Sequence, residues 1–141
     1  MLKTVLLLLC CGLFHGNEDS GELRVRVQGA DDVNGKVMMS LCSSKDDFKD
    51  DHAGVYHHFE MRNGYAELVL TDLPPDYYGI KLFVDLNGND EMDYNLVGIP
   101  KEPYGFSNNA FGLVTQPGFD EASFKVQPGK TSVQTIDLRG D

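Results

Sequence analysis

Tryptophan is absent from this chain, and cysteine occurs three times, at Cys10, Cys11 and Cys42. If the N-terminal segment is removed as a leader, Cys42 stands alone. A single cysteine forms no intrachain disulfide, so the fold must hold by core packing or by a bound ion. Cations are scarce as well. Twelve Lys and Arg face 22 Asp and Glu, for a formal net charge of −10. Such a surface repels phosphate backbones, which argues against nucleic acid as a partner. No basic patch or lysine-rich amphipathic helix offers itself to an anionic membrane. No apolar run reaches the roughly twenty residues that span a bilayer, so no membrane insertion of the mature chain is expected. A long apolar stripe of helical period is also missing. Catalytic signatures are lacking too. No serine lies in a nucleophile elbow, and no glycine loop follows a strand to cradle phosphate. No His-Glu-x-x-His or cysteine pair points to zinc. His57 and His58 are adjacent on a short candidate strand, so they face opposite sides and cannot chelate one metal together.

The first sixteen residues form the most distinct segment. Lys3 precedes an apolar run from Val5 to Cys11, extended through Phe14, after which His15-Gly16-Asn17-Glu18-Asp19-Ser20 turns polar. That order is the one found in a secretory signal peptide, and the run is too short for a membrane span. A buried N-terminal strand or helix is the competing reading. The expected organisation is a signal peptide over 1–16 and one domain over 17–141. Losing Lys3 with the leader takes the charge from −10 to −11. The expected location is secreted or periplasmic. Leu-Leu-Leu-Cys-Cys-Gly also has some likeness to a lipoprotein signal, although Leu9 stands where a small residue is usual, so a lipid anchor is the alternative.

The remainder reads as strands. Glu22-Leu23-Arg24-Val25-Arg26-Val27 alternates polar and apolar, the period of a half-buried strand. Val37, Met39 and Leu41 share a face, as do Ala66, Leu68 and Leu70, and Tyr78, Ile80, Leu82 and Val84. Ala122, Phe124 and Val126 repeat the pattern, and Val55–Glu60 forms a short strand. In Thr131–Leu138, Val133 falls out of step with Ile136 and Leu138, which suggests a bulge. Turn chemistry separates these runs at 29–35, at Arg62-Asn63-Gly64 and at Pro74-Pro75-Asp76, and Pro128-Gly129-Lys130 reads as the turn of a final hairpin. The one helical candidate is Ser43–His52, with Ser44 as cap. The pattern predicts an all-β fold, a single antiparallel β-sandwich of about seven strands, immunoglobulin-like or prealbumin-like, with a closed barrel as competitor. Residues 95–120 show no period, and a connection that long is often functional. Tyr104, Phe106, Phe111 and Phe119 within it need a place to pack.

Two features carry candidate chemistry. Asp85, Asn87, Asn89, Glu91 and Asp93 place oxygen donors at alternate positions of a turn, as the first part of a calcium loop does, and calcium seeks six to eight oxygens. Asp90 stands where a helix-loop-helix calcium site has glycine, and Leu96 where it has a bidentate Glu. The same residues serve equally as a turn that caps itself through its own backbone. The second feature is Gly98–Asn109, stiffened by Pro100 and Pro103. Tyr104, Phe106, Ser107, Asn108 and Asn109 combine aromatic and amide groups suited to a small molecule, a glycan or a protein. Against that stands a structural lid that packs its aromatics over the sandwich.

The run Tyr78-Gly-Ile-Lys-Leu-Phe-Val-Asp85-x-Asn87-Gly88-Asn89, then Asp93, then Gly98-Ile-Pro-Lys-Glu102-x-Tyr104-Gly-Phe-Ser-Asn-Asn109, resembles the exported bacterial proteins of domain of unknown function 2141. Leu73-Pro74 and Phe119-x-x-Ala122-x-Phe124 are similar too. The resemblance spans Leu23–Leu138. It implies an exported β-sandwich with no established activity, with the turn and the Ser-Asn-Asn loop as hallmarks. Two departures are Asp90, where the family commonly has glycine, and Pro75, where Pro-Gly is usual. Together these readings predict an exported binding or accessory module with a calcium-stabilised loop. The alternative is an exported enzyme acting on a glycan or another envelope polymer, which needs carboxylates with separated pKa values facing a cleft. In the preferred form, the Asp85–Asp93 turn and the Tyr104–Asn109 loop lie together at one end.

Overall fold

Alternation along Gly21–Gln28 translates into burial at every second residue. The computed structural model describes residues 19–113 and 115–140; the expected signal peptide, with Cys10 and Cys11, lies outside them. Among the described residues eight strands come in chain order: β1 (Gly21–Gln28), β2 (Gly35–Cys42), β3 (Val55–Met61), β4 (Tyr65–Leu73), β5 (Asp76–Asp85), β6 (Tyr104–Phe106), β7 (Phe124–Val126) and β8 (Thr131–Asp137). One sheet has the order β4-β1-β8, and the other β3-β2-β5-β6 with β7 also on β5. Leu23, Val25 and Val27 of the first sheet, with Ile136, meet Val37, Met39, Ile80, Leu82 and Val84 of the second. All are buried, and they form the core of a two-sheet sandwich. Among the described residues no helix is long and apolar enough to cross a membrane.

The sandwich departs from the expected antiparallel plan in one pair. β8 runs parallel to β1, from Glu22 opposite Thr131 to Gln28 opposite Asp137. The cause is the route into β8. The turn at Gln127–Lys130 does not close a hairpin, because β7 belongs to the second sheet and β8 to the first. It carries the chain between sheets at the pole where β1 begins, with Gly129 N–H on Ser20 O (2.8 Å) and Glu22 N–H on Lys130 O (3.0 Å). β8 therefore starts beside the start of β1. The β1–β8 register has no bulge. The inward position that broke the apolar pattern is Gln134, 9% exposed, while Val133 faces out at 50%. Ala122 closes a short helix, α2 (Phe119–Ala122), ahead of β7.

A second apolar layer covers the outer face of the larger sheet. The helix α1 (Lys45–Lys49) starts at Ser44, whose hydroxyl accepts Asp47 N–H. It drops Phe48 onto Cys42, Ala122, Phe106 and Phe119. The Phe48 and Phe119 rings meet edge-on at 5.9 Å. Gly79 sits beneath: a Cβ there would lie 3.0 Å from the Phe48 ring. This layer takes up two of the four aromatics of the aperiodic stretch. Tyr104 packs edge-on against Phe106 at 6.1 Å. Phe111 is 52% exposed, with the Arg139 guanidinium 4.5 Å above its ring.

Candidate functional site

β5 ends at the pole opposite the β8 entry, and its last residue organises the turn beyond it. Asp85 is 3% exposed. Its two carboxylate oxygens accept Gly88 N–H and Asp90 N–H, both at 2.9 Å. Burial pushes this carboxyl up, but N–H groups of Asp90, Gly88, Asn87 and Asn89 outweigh burial and hold it below the usual range. The ladder continues outward. Asn87 Oδ1 accepts Asn89 N–H (3.2 Å), and Asn89 Oδ1 accepts Glu91 N–H (3.1 Å). The Asn87 and Asn89 side-chain amides both donate to the Asp93 carboxylate. Asp90 has φ 60. That left-handed conformation is free to glycine and tolerable to Asp.

Glu102 closes the turn from the other side. It is 3% exposed. One oxygen accepts Leu86 N–H (3.1 Å) and the other Asp93 N–H (3.4 Å). Burial raises its pKa, two backbone N–H groups oppose, and the charges of Asp93 and Asp85 add to the rise. Two buried carboxyls at one rim are thus driven in opposite directions. Between them the strap 86–103 is tied at its start, middle and end, with Lys101 N–H on Asp93 O at 2.8 Å. At its apex Asn95 Oδ1 accepts the N–H groups of Val97 and Ile99, both at 3.0 Å. The apex turns its apolar side chains to solvent: Leu96 is fully exposed, Val97 79% and Ile99 57%. Beside it lies a concavity of about 400 Å³ lined by Leu86, Asn87, Asp93, Tyr94, Lys101 and Glu102.

The expected residues divide between two places. The metal candidates Asp85, Asn87, Asn89, Glu91 and Asp93 form the rim turn, and most of their oxygens are engaged with its own N–H groups. Among the described residues no cluster of three or more His, Cys, Asp or Glu has the arrangement of a metal site. Tyr104 pairs with Phe83 near the rim, and Pro103 O accepts Val84 N–H (2.9 Å). Ser107, Asn108 and Asn109 lie further down the sandwich, on the side where β6 and β8 are the edge strands. Ser107 accepts Ile80 N–H (2.8 Å) and donates to Ala122 O. Asn108 donates to Ser123 O (2.8 Å), its N–H reaches Gln134 Oε1 (2.8 Å), and Gln134 returns a bond to its Oδ1 (3.1 Å). Asn109 Oδ1 accepts Asp137 N–H at 2.8 Å. Asn108 and Asn109 have φ 57 and 49, a region asparagine enters more readily than most residues. The Ser-Asn-Asn motif therefore brackets two sheet edges together, and the contact with the turn runs through Glu102 and Pro103.

Sequence reasoning missed Glu102 and Asn95 as organising residues. Glu102 was visible as a lone carboxylate between Pro100 and Pro103. Asn95, followed by the apolar Leu96, Val97 and Ile99, was visible as a turn former inside an otherwise aperiodic stretch. No curated protein and no solved structure matches the chain. The model of a bacterial family does match, over residues 25–134. The chain belongs to that family, described as uncharacterized protein conserved in bacteria (DUF2141).

Proposed function

We propose that this chain is an exported binding or accessory module whose ligand, a small molecule or glycan unit, sits in the rim concavity beside the braced strap. The observation that carries this reading is the lining. An amide (Asn87), a phenol ring (Tyr94), an ammonium (Lys101) and two carboxyls (Asp93, Glu102) converge on one depression. Sites for small ligands combine a few placed polar groups with an apolar wall in this way. The brace supports it too, since a strap held at three points loses little freedom on binding. The test is an amide NMR titration of the chain with a panel of mono- and oligosaccharides. Shifts confined to residues 86–102, and lost in Tyr94→Ala, support the reading; a panel that moves none of these resonances rejects it.

One observation favours a second reading, an enzyme acting on a glycan or another envelope polymer. Glu102, whose pKa is raised by burial, lines the concavity, and a carboxyl held protonated beside a cleft is suited to the role of general acid. Hydrolysis of an envelope polymer that Glu102→Gln abolishes, with binding retained, would establish it. Calcium held by Asp85, Asn87, Asn89, Glu91 and Asp93 is the competing account of what stiffens the turn. It requires those oxygens to exchange backbone N–H groups for an ion.

A further inference from the structure

The two poles of the sandwich carry surfaces of opposite kind. At the β5 C-terminal pole the strap apex projects Leu96, Val97 and Ile99 into solvent. Acidic Glu91 and Asp93 precede it in the chain. At the β5 N-terminal pole lies a groove of about 540 Å³. Pro75, Tyr77, Val126 and Pro128 give it apolar walls, and Lys125 and Lys130 stand along it. Lys125 lies 5.9 Å over the Tyr77 ring, and neither lysine is paired with a carboxylate among the described residues. Asp76, also in the groove, has one carboxylate oxygen occupied by Tyr77 N–H (2.7 Å). In a chain of net charge −10 this groove presents two lysines outside any of the ion pairs among the described residues.

We infer that the apolar apex of one copy docks into the lysine-flanked groove of a second copy, so that this protein associates head to tail. The two surfaces match in polarity and in net charge: apolar to apolar, and a flank with Glu91 and Asp93 against Lys101 to a groove with Lys125 and Lys130 against Asp76. A chain cannot satisfy itself, because the ten residues of β5 hold the two poles about 30 Å apart. A membrane is the poorer occupant for the apex, since its acidic flank and the net charge repel anionic lipid. The contact is heterologous. Each docking leaves one apex and one groove unused, so association continues beyond two copies unless the rotation closes a ring. This inference goes beyond the proposed ligand site and uses different residues.

The test is sedimentation of residues 19–141, which contain the eight described strands and both described core clusters, over a range of about 5 to 500 µM, where weak specific interfaces titrate. The parent chain is expected to grow past the dimer as concentration rises, and less so at high salt. Leu96→Asp with Val97→Asp removes the apex, and Lys125→Glu with Lys130→Glu reverses the groove. Both pairs of positions are exposed, and circular dichroism checks each fold. Each double variant alone should weaken association at least about tenfold. An equimolar mixture of the two should form a dimer and stop there, because only one intact apex–groove pair remains. A parent chain that is monomeric throughout, or that halts at a dimer, overturns the inference. So does an apex variant that still assembles, or a mixture that does not pair.

Discussion

Replacing Glu102 tests the brace on which the rim depends. In Glu102→Ala, the N–H groups of Leu86 and Asp93 lose their acceptor. An unsatisfied buried donor costs about 1–3 kcal/mol. Two factors lower the total. The adjoining concavity admits water to the freed N–H groups, and the variant no longer carries a buried charge. The net loss is therefore about 1–2 kcal/mol, or a shift of roughly 1 M in the urea midpoint. Opening should be steeper locally: chymotrypsin cleavage at Tyr94 and Leu96 is expected to accelerate about tenfold, since such cleavage tracks the open population. Glu102→Gln separates charge from hydrogen bonding. The Glu102 pKa is raised above its ordinary 4.5 in the fold. The folded chain thus holds more protons than the unfolded one between 4.5 and the raised value, and stability falls as pH rises through that window. The Gln variant should lack this fall. Asp85 acts in the opposite sense: its pKa is lowered from 3.8, so its stabilisation is present above 3.8 and is lost as pH drops below. Urea midpoints measured from pH 3 to pH 8 (about half-unit steps suffice) give both slopes. An unchanged midpoint and unchanged cleavage in Glu102→Ala would refute the brace. A Gln variant with the same fall above pH 4.5 would refute the assignment of that fall to Glu102.

The remaining contacts set further outcomes. Asn108→Ala removes acceptor and donor from the bracket between Gln134, Glu121 and Ser123 and places alanine at positive φ; unfolding by urea should show a loss of about 2–3 kcal/mol. Gly105→Ala drives a Cβ to 2.5 Å from Ile136 Cγ2 and should lower stability by about 1–3 kcal/mol in the same assay. The Cys42 thiol is buried, and burial raises its pKa, so peptide mapping should find it unlabelled by iodoacetamide in the native chain and labelled in urea. A self-capped rim turn predicts the same melting temperature with calcium as with chelator; a rise with calcium would show that Asp85–Asp93 oxygens turn to an ion.

Local alternation was enough to place nearly every strand, because side chains on a pleat alternate whatever the partner strand is. Val37, Met39 and Leu41 face inward for that reason alone. Where the period was masked, the reading slipped. Gln134 occupies an inward position with a polar side chain, so β8 looked bulged, and only its pairing with Asn108 shows why an amide is buried there. The Asp85–Asp93 turn was legible because its hydrogen bonds join residues close in the chain. Ser107, Asn108 and Asn109 were noticed, but their partners lie on β5, β8 and around α2, which no spacing reveals.

The amino-acid order by itself determined the class of the protein: an all-β chain, acidic, with one dense turn of oxygens, and a family membership carried by its motifs. These depend on neighbours within a few residues. Tertiary structure decided the parallel β1–β8 pair, the burial of Glu102, the bracket made by Ser-Asn-Asn, and the placing of an apolar apex and a lysine-flanked groove at opposite poles. Those features arise from segments far apart in sequence that meet only when two sheets stack, and the energy that selects them is released only then.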